Sequence, residues 1–199
     1  MIEIYTQNIG GVWFGVACAQ QQIVTSSFDV SQELTLSNIL ENMPFNVSFQ
    51  VFHEPSGFAK NILSSLKNIY EGKNVNTSFQ LAFARLPIYT QKVLKTTVAI
   101  PLGYVTSYGA IAKAAGGGPR AVGNIMASNP FAPIVPCHRV VKSDFTLGGY
   151  GGGSKVKFEL LGREKRGFLT SKEIEVNGRQ LRVFPVEHVL KIWHNLKIF

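Results

Sequence analysis

The sequence predicts an α/β (α+β) protein of two domains, strand-rich in its first part and mainly helical in its second. Short β-type runs separated by turn residues fill the start of the chain. The charge balance changes near residue 85: residues 1–85 carry four basic and six acidic side chains, and residues 86–199 carry sixteen and six. Pro87 interrupts the chain at the same place. We therefore predict domains at 1–85 and 86–170, with an extension at 171–199.

The N-terminal elements follow from short-range patterns. We predict strands that begin at Ile2 and that cover residues 12–17 and 23–28, so that a small meander forms. Apolar residues then recur at helical spacing over 56–70, and Gly72 ends that helix.

The C-terminal part shows helical spacing from Thr90, which we predict as a cap, up to Pro101. A short helix over 109–115, a break at Gly116-Gly117-Gly118-Pro119 and a helix from 120 towards 128 give the outline of a DNA-binding helix-turn-helix. Alternation around Asn177-Gly178 predicts a hairpin over 173–184, and the segment from Val186 to Phe199 predicts a packed helix.

The composition excludes several classes of protein and favours a polyanionic partner. No apolar run reaches the ~20 residues of a membrane span, and the N-terminus has no secretory pattern, so we expect a cytoplasmic protein without membrane contact. Two cysteines cannot form a disulfide scaffold or a usual zinc site. The net charge of +8, with no acidic side chain between Glu71 and Asp144, favours a polyanionic partner over a merely solvated basic surface.

The second helix of the helix-turn-helix has mainly small residues on one face. Ala121, Gly123 and Ala127 allow close backbone approach, and only Arg120 and Asn124 offer hydrogen-bonding side chains. This pattern is typical of a helix that recognises shape rather than bases.

The chemistry is concentrated in residues 129–141. A lone cysteine such as Cys137 is more often a core residue, but His138, Arg139 and Lys142 supply positive potential that lowers a thiol pKa and favours the thiolate. We therefore interpret Cys137 as a nucleophile and Cys18, without such neighbours, as core.

The flanking pairs 134–135 and 140–141 resemble buried strands. Adjacent residues of a strand face opposite sides, so Cys137 and His138 do not pair directly in extended geometry. Either the chain bends sharply after Pro136, or a water carries the proton between them.

These segments closely resemble the O6-alkylguanine-DNA alkyltransferases. The resemblance rests on Pro136-Cys137-His138-Arg139-Val140 after Asn129-Pro130, on Arg120-Ala121-Val122-Gly123, on residues 100–109 and on the glycine run 148–153. It is dense from about residue 87 to 168 and thin in 1–85. It implies a ribonuclease-H-like N-terminal domain and a helix-turn-helix, winged-helix-like catalytic domain.

The resemblance also implies a function: single-turnover repair of double-stranded DNA containing O6-alkylguanine, by base flipping and transfer of the alkyl group to Cys137, without a cofactor. We expect a monomer, and cooperative binding along DNA stays open. Carried over by motif, His138 acts as base through a water, Glu164 orients it, Asn129 ties the site together and Tyr108 stabilises the departing guanine. The other implied groups are the DNA contacts Arg120, Ala121, Gly123 and Ser143, and the pocket residues Met126, Val140, Tyr150, Gly151 and Lys157.

Structural alternatives exist for several of these residues. Glu164 lies among basic residues and could form a surface pair, although its spacing from His138 favours a buried role. Asn129 could serve only as a turn former, Tyr108 as a core residue and Lys157 as an exposed helix residue. Some relatives carry a hydroxyl side chain at the position of Gly151, so here only its backbone N–H could act.

Other classes of protein fit less well. A non-enzymatic sensor of alkylated DNA would lack the acceptor cysteine. A helix-turn-helix transcription factor would need more base-reading side chains, and a cysteine protease would need a separate histidine and leave the basic charge unexplained.

Overall fold

The computed structural model describes residues 1–75 and 79–196. The chain divides into two compact units: the first comprises Met1–Leu86 with Pro130–Ile134, and the second comprises Pro87–Asn129 with the chain from Val135 onward. Each contains a mixed sheet and helices, so the predicted mixed α/β class is confirmed.

The first unit is built on an antiparallel meander, as predicted. Strands β1 (Ile2–Ile9), β2 (Val12–Ala19) and β3 (Gln22–Asp29) pair in order. Two-residue turns join them, with positive φ at both residues of each turn (Gly10-Gly11 and Gln20-Gln21). Such turns match the twist of the strands that they connect.

The remaining elements of this unit complete a five-stranded sheet of order β4-β1-β2-β3-β5. Helix α1 (Gln32–Glu41) and strand β4 (Phe49–Phe52), which the patterns above do not identify, are followed by α2 (Gly57–Tyr70), as predicted, and by β5 (Gln80–Leu81). Helix α1 packs closely on the sheet because Gly15 has no side chain: a Cβ there would lie 2.5 Å from Ile39 Cδ1.

The segment Pro130–Ile134 belongs to this first unit although the chain that follows it, including Cys137, belongs to the second. The Thr25 hydroxyl donates to the Pro130 carbonyl at 2.7 Å, and the Ser26 hydroxyl donates to the Ala132 carbonyl at 2.9 Å. The sequence therefore passes from one unit to the other on either side of this segment.

The second unit begins with three helices. Helix α3 (Ile88–Val98) starts two residues before Thr90, with Pro87 at its N-cap, so the predicted cap at Thr90 is wrong. Ser107 caps α4 (Tyr108–Ala115), the positive φ of Gly116 and Gly117 turns the chain, and α5 (Pro119–Ala127) follows with proline at its first turn. The predicted helix, glycine turn and helix are present.

A second sheet supports these helices. Strand β6 (Tyr104–Ser107) pairs with β7 (Val140–Val141) in parallel and with β9 (Arg179–Pro185) in antiparallel fashion, and β8 (Lys172–Val176) completes the order β7-β6-β9-β8. The hairpin between β8 and β9 turns at Asn177-Gly178, both at positive φ, as predicted. The hairpin, which we predict as part of a separate extension, thus belongs to this sheet because β9 pairs with β6.

Two more helices complete this unit: α6 (Gly153–Arg163) and α7 (Val186–Leu196). The predicted end of the last helix at Phe199 lies outside the described residues. An apolar core joins the sheet to both helices and consists of Val105, Val141, Leu147, Leu161, Val186, Val189 and Leu190. Within residues 1–75 and 79–196, no helix is long and apolar enough to cross a membrane.

Candidate active site

The segment that carries Cys137 is a short turn, not a strand. Residues Cys137–Arg139 form one turn of 3-10 helix directly before β7. The prediction of a buried strand is confirmed for 140–141 and wrong for 134–135, where the chain turns. The chain thus bends after Pro136, and a turn does not force neighbouring side chains onto opposite sides; the bend is also compatible with a water as proton carrier.

The sheet brings Tyr108 towards this turn. Strand β6 runs directly into α4, which begins at Tyr108, and its residue Thr106 pairs with Val140 just after the turn. The Tyr108 hydroxyl donates to the Gly149 carbonyl at 3.4 Å. Gly148, at φ +68°, lies so close to the phenol ring that a Cβ there would be 2.9 Å from Tyr108 Oη. The glycine run thus packs against this tyrosine.

Cys137 is buried among groups with opposing effects on its thiol. Burial raises the pKa of Cys137, while the Asn129 side chain, the Lys157 ammonium and the backbone N–H groups of Cys137 and His138 lower it. The net direction is upward, so the expectation of a thiol pKa lowered by His138, Arg139 and Lys142 is wrong for the free protein. Lys142 is exposed, and the cation that acts on the sulfur is Lys157.

His138 and Glu164 form a fully buried pair. His138 Nε2 lies 2.8 Å from Glu164 Oε1, and each side chain is 1% exposed. A carboxylate only accepts hydrogen bonds, so Nε2 carries the proton when His138 is neutral and Nδ1 keeps its lone pair. Among the described residues, Nδ1 has no hydrogen-bond partner. Burial lowers the pKa of His138 against the raising effect of Glu164, so the imidazole is neutral near pH 7.

Glu164 is an ionised carboxylate that two partners share. Burial raises its pKa, but His138 and Arg139 outweigh burial and lower the value to about 2. Arg139 donates from Nε to both carboxylate oxygens, at 3.1 and 2.9 Å, and from Nη2 to Oε1 at 2.9 Å. Glu164 thus lies in the buried pair and not in a surface pair, at the C-cap of α6.

Lys157 is buried and is not the exposed helix residue that was its structural alternative. Its side chain is fully buried, and Nζ donates to the Val140 carbonyl at 2.6 Å and to the Gly149 carbonyl at 3.3 Å. Burial lowers the pKa of Lys157 to about 8, although Cys137 acts in the opposite direction. The lysine therefore links the reactive segment to the glycine run.

Asn129 also lies inside the site. It is 9% exposed, and its Nδ2 donates to the Val135 carbonyl at 2.9 Å, in addition to its interaction with Cys137. It therefore joins the end of α5 to the turn that precedes Cys137, which is more than the role of a turn former.

The tyrosines around Cys137 are un-ionised. Burial, and then the charge of Cys137, raise the pKa of Tyr108, and the same two causes raise the pKa of Tyr150 well above its ordinary value. Met126 in α5 and Val140 in β7 are also buried. Gly151 is exposed, and a Cβ there would meet no atom within 4 Å.

The residues implied as DNA contacts lie mostly on the surface. Arg120 and Ala121 are exposed in the first turn of α5, Gly123 is half-buried, and Ser143 is exposed after β7. The N-cap of α5 is Gly118, whose missing side chain leaves the first turn of that helix open. This helix presents backbone and small side chains around a single arginine.

Sequence reasoning missed the contacts of Arg139. The motif indicates Arg139 only as a source of positive potential, but the residue is the main ion-pair partner of Glu164 and also donates to the Ile100 carbonyl at 2.7 Å. One signal was available: a buried carboxylate whose other partner is a neutral histidine needs a cation to offset its desolvation.

Comparison with known proteins identifies a family that is similar to part of this chain. Residues 88–166 match the family described as "6-O-methylguanine DNA methyltransferase, DNA binding domain". This segment, about two-fifths of the chain, is therefore similar to that family. The match spans α3 to α6 and ends just beyond Glu164.

Two relatives that match part of this chain are named methylated-DNA–protein-cysteine methyltransferase. The one from Pyrobaculum aerophilum is 56% identical over 73 residues, which is 37% of this chain and 49% of the relative. The one from Methanothermobacter thermautotrophicus is 38% identical over 106 residues, or 53% of this chain and 60% of the relative. The chain thus spans about half to three-fifths of these relatives.

Solved structures of methyltransferases match over more of the chain. The O6-methylguanine-DNA methyltransferase of Pyrococcus kodakaraensis has a TM-score of 0.65 at 28% identity, covering 82% of this chain and 99% of that one. The Mycobacterium tuberculosis OGT in complex with DNA has a TM-score of 0.64 at 28% identity, covering 82% and 92%.

Proposed function

We propose that the protein repairs O6-alkylguanine in double-stranded DNA by moving the alkyl group irreversibly to Cys137, once per molecule. The observation that carries the proposal is a buried cysteine that Asn129 and Lys157 contact electrostatically, beside a His138–Glu164 pair, within a segment of the methyltransferase family. The reaction needs a soft anionic nucleophile and a stabilised leaving group, and the site contains candidates for both.

The proton of the Cys137 thiol leaves first. His138 Nδ1 has the free lone pair that can take it, directly or through a water, and the Glu164 carboxylate stabilises the imidazolium that forms. The raised thiol pKa fits this order, because the thiolate forms only when a base and the Lys157 charge act together. A protonated Cys137 thiol in the free protein is also less reactive towards other electrophiles.

The thiolate then displaces guanine from the alkyl carbon. A carbon–sulfur bond forms, the carbon–oxygen bond breaks, and its electrons move to the guanine ring. Tyr108, whose raised pKa keeps it a phenol, can donate a hydrogen bond or its proton to that anion. The proton lost by the thiol is regained by guanine overall, so the charges balance and no cofactor enters the step.

The pocket for the flipped base would lie between Met126, Val140, Tyr150 and the glycine run. The carbonyls of Cys137 and Val140 are the groups proposed to accept the guanine amino group. Each already accepts one hydrogen bond, from Val140 N–H and from Lys157 Nζ respectively. A carbonyl has two lone pairs, so each can accept a second. Gly151 would offer its backbone N–H to the leaving oxygen.

Helix α5 is the proposed DNA-contacting element. Arg120 at its exposed start would fill the gap left by the flipped base, Ala121 and Gly123 would allow the helix to lie in the minor groove, and Ser143 would contact a phosphate. The balance of +10 in residues 86–199 supplies the general attraction to phosphates.

Arg120→Ala should slow transfer from duplex DNA more than from a single strand, where no stacked gap needs filling. An equal loss on both substrates would contradict the wedge role.

The proposal also includes the finer expectations of a ribonuclease-H-like first unit, a winged-helix-like second unit, and a monomer that acts in the cytoplasm. Size-exclusion chromatography with and without DNA tests the monomer.

The deciding experiment is intact-mass analysis after incubation with an O6-methylguanine duplex. We expect one CH2 increment per molecule, located on the Cys137 peptide, with no further gain when fresh substrate is added. Binding without an increment would assign the protein to the class of non-enzymatic alkylated-DNA sensors. An increment on another residue would contradict the role of Cys137.

A further inference from the structure

All three nitrogens of the Arg139 guanidinium donate hydrogen bonds inside the protein. Nε and Nη2 donate to the Glu164 carboxylate, and Nη1 donates to the Ile100 carbonyl, between the end of α3 and the start of β6. The side chain is 12% exposed, so little of it can reach a phosphate. Arg139 is therefore not one of the cations that hold DNA, although it lies in the basic part of the sequence.

The charges of the buried cluster explain what this arginine does. With His138 neutral, the Arg139 cation and the Glu164 anion balance each other. Without the guanidinium, an uncompensated buried carboxylate would lie 2.8 Å from His138 Nε2 and would hold the imidazole in its charged form. A histidine that is already protonated cannot accept the thiol proton.

We propose that Arg139 is a positioning residue which holds Glu164 as its own ion-pair partner and so keeps His138 neutral and ready to accept the proton of Cys137. This inference rests on the proposed function and deepens it. It assigns to Arg139 a role in controlling the protonation state of His138, separate from any role in binding DNA.

The other groups around His138 do not replace this role. Lys157, from α6, also disfavours a charged His138, but its ammonium donates to two carbonyls and not to Glu164. Cys137 precedes His138 in the same turn, and the nearby Tyr108 and Tyr150 are un-ionised. In the described part of the chain, Arg139 is the cation that donates hydrogen bonds to both oxygens of the Glu164 carboxylate.

The test is an NMR titration of His138 in protein labelled in its histidine rings, with the signal assigned by its loss in His138→Gln. We expect the titration midpoint of His138 to rise in Arg139→Gln by about one unit or more, the usual effect of an unopposed neighbouring carboxylate. Arg139→Lys should give an intermediate midpoint, because it keeps the charge and loses the planar fork. An unchanged or lower midpoint in Arg139→Gln would overturn the proposal.

Two further variants keep the test decisive if Arg139→Gln does not fold. The double variant Arg139→Gln/Glu164→Gln replaces both charges and should return the midpoint to the wild-type value or below. Glu164→Gln alone leaves the guanidinium beside the imidazole and should lower it. A rise in either variant would contradict the proposal. Arg163→Gln is the matched control, since Arg163 is adjacent to Glu164 in sequence but pairs with Glu159 at 3.6 Å.

Kinetics separate a base-setting role from a merely structural one. In Arg139→Gln the acidic limb of the pH profile of alkyl transfer should move to higher pH, in parallel with the His138 midpoint. A structural defect would lower the rate at every pH without moving the limb. If wild-type protein transfers no alkyl group, the proposed function fails, while the NMR titration still decides the role of Arg139.

Discussion

The two units each bury one cysteine, and the difference between them shows which surroundings allow a buried thiol to form a thiolate. Cys18 lies in β2, where burial and then the charge of Glu3 raise its pKa to about 12. Cys137 is equally buried, but Asn129, Lys157 and backbone N–H groups oppose the rise. Burial alone makes a thiol inert, and only the second unit supplies groups that stabilise a thiolate.

A similar contrast holds for two glutamates. The pKa of Glu71 is lowered to about 2 by Lys67 and Lys73, and that of Glu164 to about 2 after His138 and Arg139 overcome burial. The first carboxylate is exposed to solvent and the second is 1% exposed. The same lowered pKa therefore belongs to a solvated ion pair at Glu71 in the first unit and to a buried hydrogen-bond network at Glu164 in the second.

The largest expected effect separates the two cysteines. Cys137→Ala should abolish alkyl transfer, because no other described thiol has a stabilised anion, whereas Cys18→Ala should keep transfer. Intact mass after incubation with O6-methylguanine duplex measures both, and a filter-binding assay checks that Cys137→Ala still binds DNA. Transfer by Cys137→Ala would break the comparison.

The second prediction separates the two glutamates. Glu164→Gln should lower the free energy of unfolding of the second unit by about 3–5 kcal/mol at pH 7, because it leaves Arg139 buried without its partner. Glu71→Gln should change stability far less, since water solvates both lysines. Urea unfolding in a Trp13→Phe background follows the second unit through Trp193.

The pH dependence of the same variant gives an independent check. The folded pKa of Glu164, about 2, lies below the ordinary value of 4.5, so its stabilisation is complete above pH 4.5 and is lost as the pH falls towards 2. The stability gap between wild type and Glu164→Gln should close over this range. A gap that stays constant would mean that Glu164 does not carry the charge assigned to it.

The third prediction concerns the buried lysine, which has no counterpart in the first unit among the described residues. The folded pKa of Lys157, about 8, lies below its ordinary value of 10.5. Between these values the unfolded chain binds more protons, so stability relative to Lys157→Met should rise by up to about 3 kcal/mol from pH 8 to 10.5. Below pH 7 the difference should be constant, which provides the control. A flat difference throughout would contradict a buried ammonium.

The sequence predicts the two units unequally, for physical reasons. Local signals suffice for the meander, α2 and the hairpin at Asn177-Gly178, because turn residues and spacing set them directly. The pairing of β9 with β6 joins residues about eighty positions apart, and no local pattern encodes it. The same holds for Pro130–Ile134, which lies in the first unit through contacts with distant Thr25 and Ser26.

The site divides in the same way. The residue types around Cys137 are readable from the motif, and the pairing of His138 with Glu164 follows from the resemblance. The burial of Lys157 and the fork of Arg139 are not readable, because both depend on how α6 packs against the 3-10 turn. The direction of the thiol pKa was wrong for this reason: sequence shows nearby charges but not desolvation.

The smallest predicted effect tests whether the absence of a side chain at Gly123 in α5 serves DNA binding rather than packing. A Cβ at Gly15 in the first unit would collide with Ile39, but a Cβ at Gly123 would meet nothing within 4 Å. Gly123→Ala should therefore stabilise the protein by about 1 kcal/mol through helix propensity, and at the same time weaken binding to duplex DNA. Gly162→Ala in α6, equally open, is the control that should leave DNA binding unchanged. Unchanged affinity in Gly123→Ala would remove α5 from the proposed minor-groove surface.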